Sequence, residues 1–193
     1  MYPLGKSLSL LADALEKLGI PYLIGGSVAS GARSIARATL DIDLVARIGT
    51  NQVRRLADAL GPDWYADPQQ MDEAIRFERA FNLIHMVGGY KIDIFPATQD
   101  FHEAQLERAT PVRLPSLDGE RDYPVASAED ILLAKLRWYR DGGEVSDRQW
   151  EDILNLVEMN PSIDLEYLRT WAARLRVDDL LTRALTPTTE RLP

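Results

Sequence analysis

Three aspartates and a glycine-rich turn are the residues of this chain best suited to chemistry. Asp41 and Asp43 are one residue apart, and Asp93 lies in a later apolar segment. Alternate residues of a strand share a face, with Cα atoms about 6–7 Å apart, so the first two carboxylates can share one cation. If Asp93 lies on a neighbouring strand, three carboxylates converge and their repulsion favours a bound metal ion. Oxygen ligands favour Mg²⁺ or Mn²⁺, and Mg²⁺ often completes its shell with phosphate oxygens.

The turn Gly25-Gly26-Ser27 follows a short apolar run, Tyr22 to Ile24, and precedes a predicted helix. Backbone N–H groups at a helix N-terminus, together with the Ser27 hydroxyl, can bind phosphate oxygens. Glycine turns also end strands for steric reasons alone. The position of this turn just before the aspartate strand favours phosphate binding.

Two predicted strand segments carry the aspartates. Residues Asp41 to Ile48 alternate between apolar and acidic side chains, as one strand with a buried face would. Residues Leu83 to Val87 and Tyr90 to Phe95 flank Gly88 and Gly89, which predicts a hairpin with a two-residue turn. Asp93 lies on the second arm of this hairpin.

Helices account for most of the remaining chain. Apolar residues at three-to-four spacing and capping residues predict them over Ser7 to Leu18, after Ser27, over Thr50 to Leu60 with Thr50 or Asn51 as cap, from Ser127 to near Gly142, from Ser146 onward, and over Leu165 to Leu185. The expected fold is α/β (α+β), a small mixed sheet with flanking helices. Residues 1–110 would form the catalytic core, and residues 111–193 a helical region that closes over the nucleotide.

Composition narrows the range of functions. The net charge of −8 is unsuited to gripping a polynucleotide over the whole surface, so any nucleic-acid contact must be local. A local positive rim would use Arg33, Arg37, Arg137, Arg140 and Arg148. The absence of cysteine excludes disulfides, thiolate zinc sites and cysteine nucleophiles, and it fits a reducing compartment, so a cytoplasmic protein is expected. Charges interrupt every apolar stretch before the roughly 20 residues that a membrane span needs.

These motifs resemble, in order and strand context, the signature of the minimal nucleotidyltransferase (polymerase beta-like) superfamily. The matching segments are Gly25-Gly26-Ser27, the run from Arg37 to Leu44, and Lys91-Ile92-Asp93-Ile94-Phe95. The resemblance implies that Gly26 and Ser27 bind triphosphate and that Asp41 and Asp43 hold two Mg²⁺ ions. It also implies that Asp93 completes the metal site and helps to activate the acceptor hydroxyl. Arg37 either contacts phosphate or shapes the loop before the strand.

The C-terminal half extends the resemblance. Asp130, Lys135 and Asp152 look like the Asp-x-x-x-x-Lys and later Asp motifs of abortive-infection type nucleotidyltransferase toxins. By that resemblance Lys135 neutralises the triphosphate, Asp130 orients the triphosphate or supports the turn, and Asp152 holds the site together from behind. The alternative for Lys135 is an ordinary helix lysine paired with a nearby acid.

The implied activity is transfer of NMP from an NTP to a hydroxyl acceptor, with pyrophosphate leaving. The acceptor stays open between an RNA end such as that of tRNA, a protein hydroxyl and a small molecule such as an aminoglycoside. Two other classes also stay open: a catalytically silent nucleotide-binding or antitoxin-like module of the same fold, and a metal-dependent phosphohydrolase. A toxin role would add a cognate antitoxin as partner.

Overall fold

The computed structural model describes residues 3–33, 42–115, 117 and 121–186. These residues divide into two compact units. The first comprises residues 3–29 and 42–126, and the second comprises residues 30–33 and 127–186. Arg37 and Asp41, two of the predicted site residues, lie outside the described ranges.

The first unit is built on a mixed sheet. Its described strands are β1 (Tyr22–Ile24), β2 (Ile42–Ala46), β3 (Trp64–Tyr65), β4 (Phe81–His85), β5 (Tyr90–Pro96), β6 (Thr110–Arg113) and β7 (Asp122–Val125). They form one seven-stranded sheet in the described part of the chain, in the order β3-β4-β5-β2-β1-β7-β6. The pairs β2–β5 and β1–β7 are parallel and the other pairs antiparallel. The predicted mixed α/β architecture is confirmed.

The helices that belong wholly or partly to this unit are α1 (Leu4–Lys17), α2 (Gly26–Arg33), α3 (Val53–Leu60), α4 (Pro68–Arg76) and α5 (Asp100–Arg108). The predicted inner stripe of α1 is buried: Leu8, Leu11, Ala12 and Leu15 are at most 1% exposed. Burying each leucine contributes about 1.5–3 kcal/mol, which explains why this spacing fixes the helix against the sheet.

Two local predictions were wrong in detail. The cap of α3 is Gln52, not Thr50 or Asn51, because the Gln52 N–H donates to the Gly49 carbonyl and closes a turn before the helix begins. The β4–β5 hairpin has a four-residue connection, residues 86–89, because His85 stays in the ladder opposite Tyr90. The Gly89 N–H donates to the His85 carbonyl at 2.8 Å. Gly89 has a positive φ of 69°, a conformation that glycine adopts without steric cost.

His85 is a structural residue of this unit. Its ring is 1% exposed, and its Nδ1 lies 2.8 Å from the hydroxyl oxygen of Ser7 on α1. The ring also packs against Trp64 on β3, with ring centroids 4.9 Å apart. The contacts connect α1 to the β3–β4 side of the sheet, and they satisfy a polar group that would be costly to bury alone.

The second unit contains the helices α6 (Ala128–Asp141), α7 (Asp147–Met159), α8 (Leu165–Leu175) and α9 (Asp178–Leu185), together with the end of α2. Ser127 and Ser146 cap α6 and α7 as predicted, each accepting a backbone N–H through its side-chain oxygen. The predicted helical region over Leu165 to Leu185 comprises two helices. Arg176 between them adopts a left-handed conformation with φ of 58°.

Within the described ranges, every helix is too short or too polar to cross a lipid bilayer.

Candidate active site

The glycine turn connects β1 to α2 and is attached to β2. The Gly25 N–H donates to the Asp43 carbonyl at 2.9 Å, and the Gly25 carbonyl accepts from the Ala29 N–H at 3.1 Å. The first bond continues the β1–β2 pairing, and the second starts the helix. The exposed Ser27 therefore lies in the first turn of α2, where backbone N–H groups have no partner within the helix.

Gly26 lies directly against the carboxylate of Asp43. A Cβ atom built on Gly26 would stand 2.6 Å from Asp43 Cγ and 2.9 Å from Asp43 Cβ, and it would overlap Oδ2. Gly26 also has a φ of +55°, in the left-handed region that favours glycine. Both the backbone conformation of Gly26 and its close approach to the Asp43 carboxylate require glycine at this position. The position of the Asp43 carboxylate therefore depends on the glycine turn.

Asp43 and Asp93 are register partners on adjacent strands. The parallel pair β2–β5 places Asp43 opposite Asp93, between the buried pairs Ile42–Ile92 and Leu44–Ile94. Partners in register point to the same face of a sheet, and adjacent strands are about 4.8 Å apart. The structure thus brings together two of the three predicted acids.

Two further side chains on the same face hold Asp93. Lys91 Nζ donates to Asp93 Oδ2 at 2.7 Å, and the Asn82 side-chain amide donates to Asp93 Oδ1. Asn82 is the register partner of Asp93 on β4, and Lys91 lies two residues before Asp93 on β5. Both carboxylate oxygens of Asp93 therefore accept hydrogen bonds from the protein.

The predicted third ligand, Asp41, immediately precedes β2 in the chain but lies outside the described ranges, as does Arg37. Among the residues that are described, no group of three or more carboxylate, histidine or cysteine side chains is placed to hold a metal ion. The described part of the predicted metal site is thus the pair Asp43 and Asp93.

Asp130 has a well-defined role within the helical unit. Its side chain is 0% exposed, Ser127 Oγ donates to Oδ2 at 2.8 Å, and Tyr167 Oη donates to Oδ1 at 2.6 Å. Ser127 in turn accepts the Asp130 N–H at 3.1 Å. These bonds close the start of α6 and tie it to α8. This geometry gives Asp130 a structural role in the helical unit, and the two roles that the resemblance implies, orienting the triphosphate or supporting the turn, stay predictions.

Lys135 and Asp152 connect α6 to α7. Their Nζ and Oδ2 atoms lie 3.4 Å apart, and the side chains are 13% and 23% exposed. The two predicted residues are therefore brought together within the helical unit, as an ion pair largely shielded from water.

Arg140, one of the residues predicted for a positive rim, is engaged within the same unit. It donates from Nη2 to both carboxylate oxygens of Asp179, at 2.6 and 2.7 Å, and its Nε lies 2.8 Å from Glu144 Oε1. The hydrogen bond with Asp179 raises the pKa of Arg140 and lowers that of Asp179. Because Arg140 forms ion pairs with two acidic side chains, it adds little positive potential to the surface around it.

Solved structures are similar to the chain over most of its length, whereas no protein-family model and no curated protein matches it. A crystal structure of an antigenic nucleotidyltransferase-like protein from Paracoccidioides brasiliensis has a TM-score of 0.56 and 23% identity, and the match covers 95% of this chain and 92% of that one. A solution structure of the antibiotic-resistance factor ANT(2'')-Ia has a TM-score of 0.55 and 18% identity, covering 93% and 94%. Its crystal structure in complex with adenylyl-2''-tobramycin has a TM-score of 0.52 and 18% identity, covering 89% and 96%.

The chain has the nucleotidyltransferase fold.

Sequence reasoning missed Asn82 and Lys91 as companions of Asp93 in this nucleotidyltransferase fold. The alternation of β5 contained a signal for Lys91, since residues two apart on a strand share a face. Asn82 could be found only with the hairpin register, which depends on the length of the connection. The four-residue connection pairs Asn82 with Asp93.

Proposed function

We propose that this chain transfers NMP from an NTP to a hydroxyl acceptor in a reaction that depends on Mg²⁺ or Mn²⁺. The observation that carries the proposal is the register pair Asp43 and Asp93, with the Gly26 turn packed against the Asp43 carboxylate. The nucleotidyltransferase fold of the chain supports it.

The donor set suits a hard divalent cation. Two carboxylates on one face of adjacent strands repel each other, and Asp41 would add a third oxygen donor. In this proposal Asp41, Asp43 and Asp93 hold the metal. The bound ion supplies positive charge that offsets the charge of the triphosphate and the negative charge that develops at the α-phosphate.

In this proposal, groups of the chain itself bind the phosphates and accept the proton of the acceptor hydroxyl. The backbone N–H groups of the Gly25-Gly26-Ser27 turn and the Ser27 hydroxyl hold phosphate oxygens at the start of α2. The acceptor oxygen forms a bond to the α-phosphorus as the bond to the pyrophosphate oxygen breaks. Asp93 takes the hydroxyl proton, and the Asn82 amide fixes the direction of the Asp93 carboxylate.

A small molecule is the acceptor that we propose first. The net charge of −8 disfavours a polynucleotide acceptor and favours a cationic one. One structural neighbour, ANT(2'')-Ia, has been solved in complex with adenylyl-2''-tobramycin, a small molecule that bears an adenylyl group. An RNA end and a protein hydroxyl are the alternatives.

Transfer of label from α-³²P-labelled NTPs tests the proposal. Each NTP is incubated with Mg²⁺ or Mn²⁺ and, separately, with aminoglycosides, total RNA or lysate protein. Labelled acceptor should form with wild type and with Asp58→Asn, a matched substitution of an exposed acid on α3, and should be lost with Asp43→Asn and Asp93→Asn. Free NMP without labelled acceptor would favour a phosphohydrolase, and binding without turnover a silent module.

A toxin role with a cognate antitoxin is the narrower form of this proposal. The motif resemblance of Asp130, Lys135 and Asp152 supports it, and the last two form an ion pair between α6 and α7. Regulated expression in a bacterial host tests it. Growth arrest that requires Asp43 supports a toxin, and normal growth at high expression of an active enzyme rules the toxin role out in that host.

A further inference from the structure

Lys91 places a positive charge on the proposed metal-binding face. Its ammonium donates to Asp93 Oδ2 at 2.7 Å, and the side chain is 45% exposed whereas that of Asp93 is 18% exposed. Asn82 donates to the other oxygen of Asp93. Asp93, the acid expected to share a cation with Asp43, is thus already neutralised by a cation of the protein.

The location of this ion pair gives it a consequence for metal binding. Asp43 is the register partner of Asp93, so the charge on Lys91 offsets part of the repulsion between the two carboxylates when no metal is bound. A divalent ion at the same pair would lie close to the ammonium and be repelled by it. The neutral Asn82 amide carries no such charge, and a carboxylate oxygen can accept it and a further partner together.

We propose that Lys91 is a counter-cation that competes with the divalent metal for Asp93 and moves away from Asp93 when the metal binds. This inference rests on the proposed function. The side chain suits such a movement, because it is long and 45% exposed. Lys91 is therefore a positioning residue that sets how tightly the metal is held.

The inference predicts two effects of opposite sign for Lys91→Met. Mn²⁺ affinity should rise about fivefold, the size expected for removal of one exposed ion pair. Thermal stability without metal should fall, because the carboxylate pair loses its counter-charge, and saturating Mn²⁺ should remove the difference from wild type. A lysine with only a structural role would lower stability and leave metal affinity unchanged or reduced.

Mn²⁺ binding followed by electron paramagnetic resonance tests this, with thermal unfolding in chelator and in saturating Mn²⁺ as the second measurement. Lys91→Arg should bind Mn²⁺ with wild-type affinity because it keeps the positive charge. Lys17→Met controls for the change of net charge, since Lys17 is an exposed residue of α1, and it should also bind Mn²⁺ with wild-type affinity. If wild type binds Mn²⁺ and Asp43→Asn does not, unchanged or weaker affinity in Lys91→Met overturns the inference about Lys91 and leaves the proposed function unaffected. If wild type binds no Mn²⁺, the proposed metal site fails first and the inference with it.

Discussion

Replacing Gly26 with alanine should damage both the fold and the site, by amounts that the geometry allows us to estimate. An L-residue in the left-handed region, where Gly26 has its φ of +55°, costs about 1–2 kcal/mol. The new Cβ would stand 2.6 Å from Asp43 Cγ, so the Asp43 side chain must leave its rotamer, at about 0.5–1.5 kcal/mol. The first unit should therefore lose about 2–3 kcal/mol of stability.

Two other glycines separate these contributions. Gly19 has a φ of +63° and nothing within 4 Å of a built Cβ, so Gly19→Ala carries the backbone cost alone. Gly25 meets only the Asp43 carbonyl oxygen at 3.9 Å and Leu23 Cδ1 at 4.0 Å, so Gly25→Ala should change stability by less than about 0.5 kcal/mol. The difference between Gly26→Ala and Gly19→Ala isolates the displacement of Asp43.

Urea unfolding gives the stabilities, and single-turnover label transfer gives the rate for the folded protein. Displacing the Asp43 carboxylate by about 1 Å should lower that rate about 100-fold, whereas Gly19→Ala should leave it at the wild-type value. The reasoning is refuted if Gly26→Ala costs no more stability than Gly19→Ala and reacts at the wild-type rate.

Three further outcomes are expected. Burial, and next the hydrogen bond to Glu16 at 3.0 Å, raises the pKa of the Tyr22 hydroxyl above its ordinary value of 10.0. The stability that this hydroxyl contributes is therefore complete below pH 10 and is lost as the pH rises further. Tyr22→Phe should therefore lower the free energy of unfolding by about 1 kcal/mol at pH 7. In urea unfolding it should also flatten the fall of stability at alkaline pH, and a fall as steep as that of wild type would count against Tyr22 as its source. A double-mutant cycle on Lys135 and Asp152 with methionine and alanine should give a coupling of about 1 kcal/mol or more, and a coupling near zero would show that the ion pair contributes nothing. Asp130→Ala should cost about 2–3 kcal/mol in thermal unfolding while NTP affinity of the folded protein is unchanged, and an affinity loss at unchanged stability would favour the nucleotide-binding role.

The site was predictable where its geometry follows from short-range periodicity. The alternation of residues in β2 and β5 places Asp43 and Asp93 on partly exposed faces, and capping chemistry located the starts of α6 and α7. The parallel pairing that makes the two acids partners could only be assumed. Parallel register depends on which strands are neighbours, and that is settled by packing of the whole sheet.

The missed elements show the same limit. The helices α4 and α5 and the two-residue strand β3 were not predicted. A capping signal for α4 was present, since Asp67 accepts two backbone N–H groups and Pro68 occupies the first turn. In α5 the buried side chains are Phe101 and Gln105, one of them polar, so apolar spacing gives almost no signal. Gly26 itself could be placed in a turn, but its contact with Asp43 needed the β1–β2 pairing.

Joint binding of Mn²⁺ and a non-hydrolysable NTP is the most direct test that Asp43 and Asp93 act as a pair beside the Gly26 turn. Electron paramagnetic resonance should show the bound metal–nucleotide complex in wild type and in Asp58→Asn, and affinity should fall at least about 10-fold in Asp43→Asn and in Asp93→Asn. Wild-type affinity in either of these two variants would contradict the assignment of the paired carboxylates to the metal–triphosphate site.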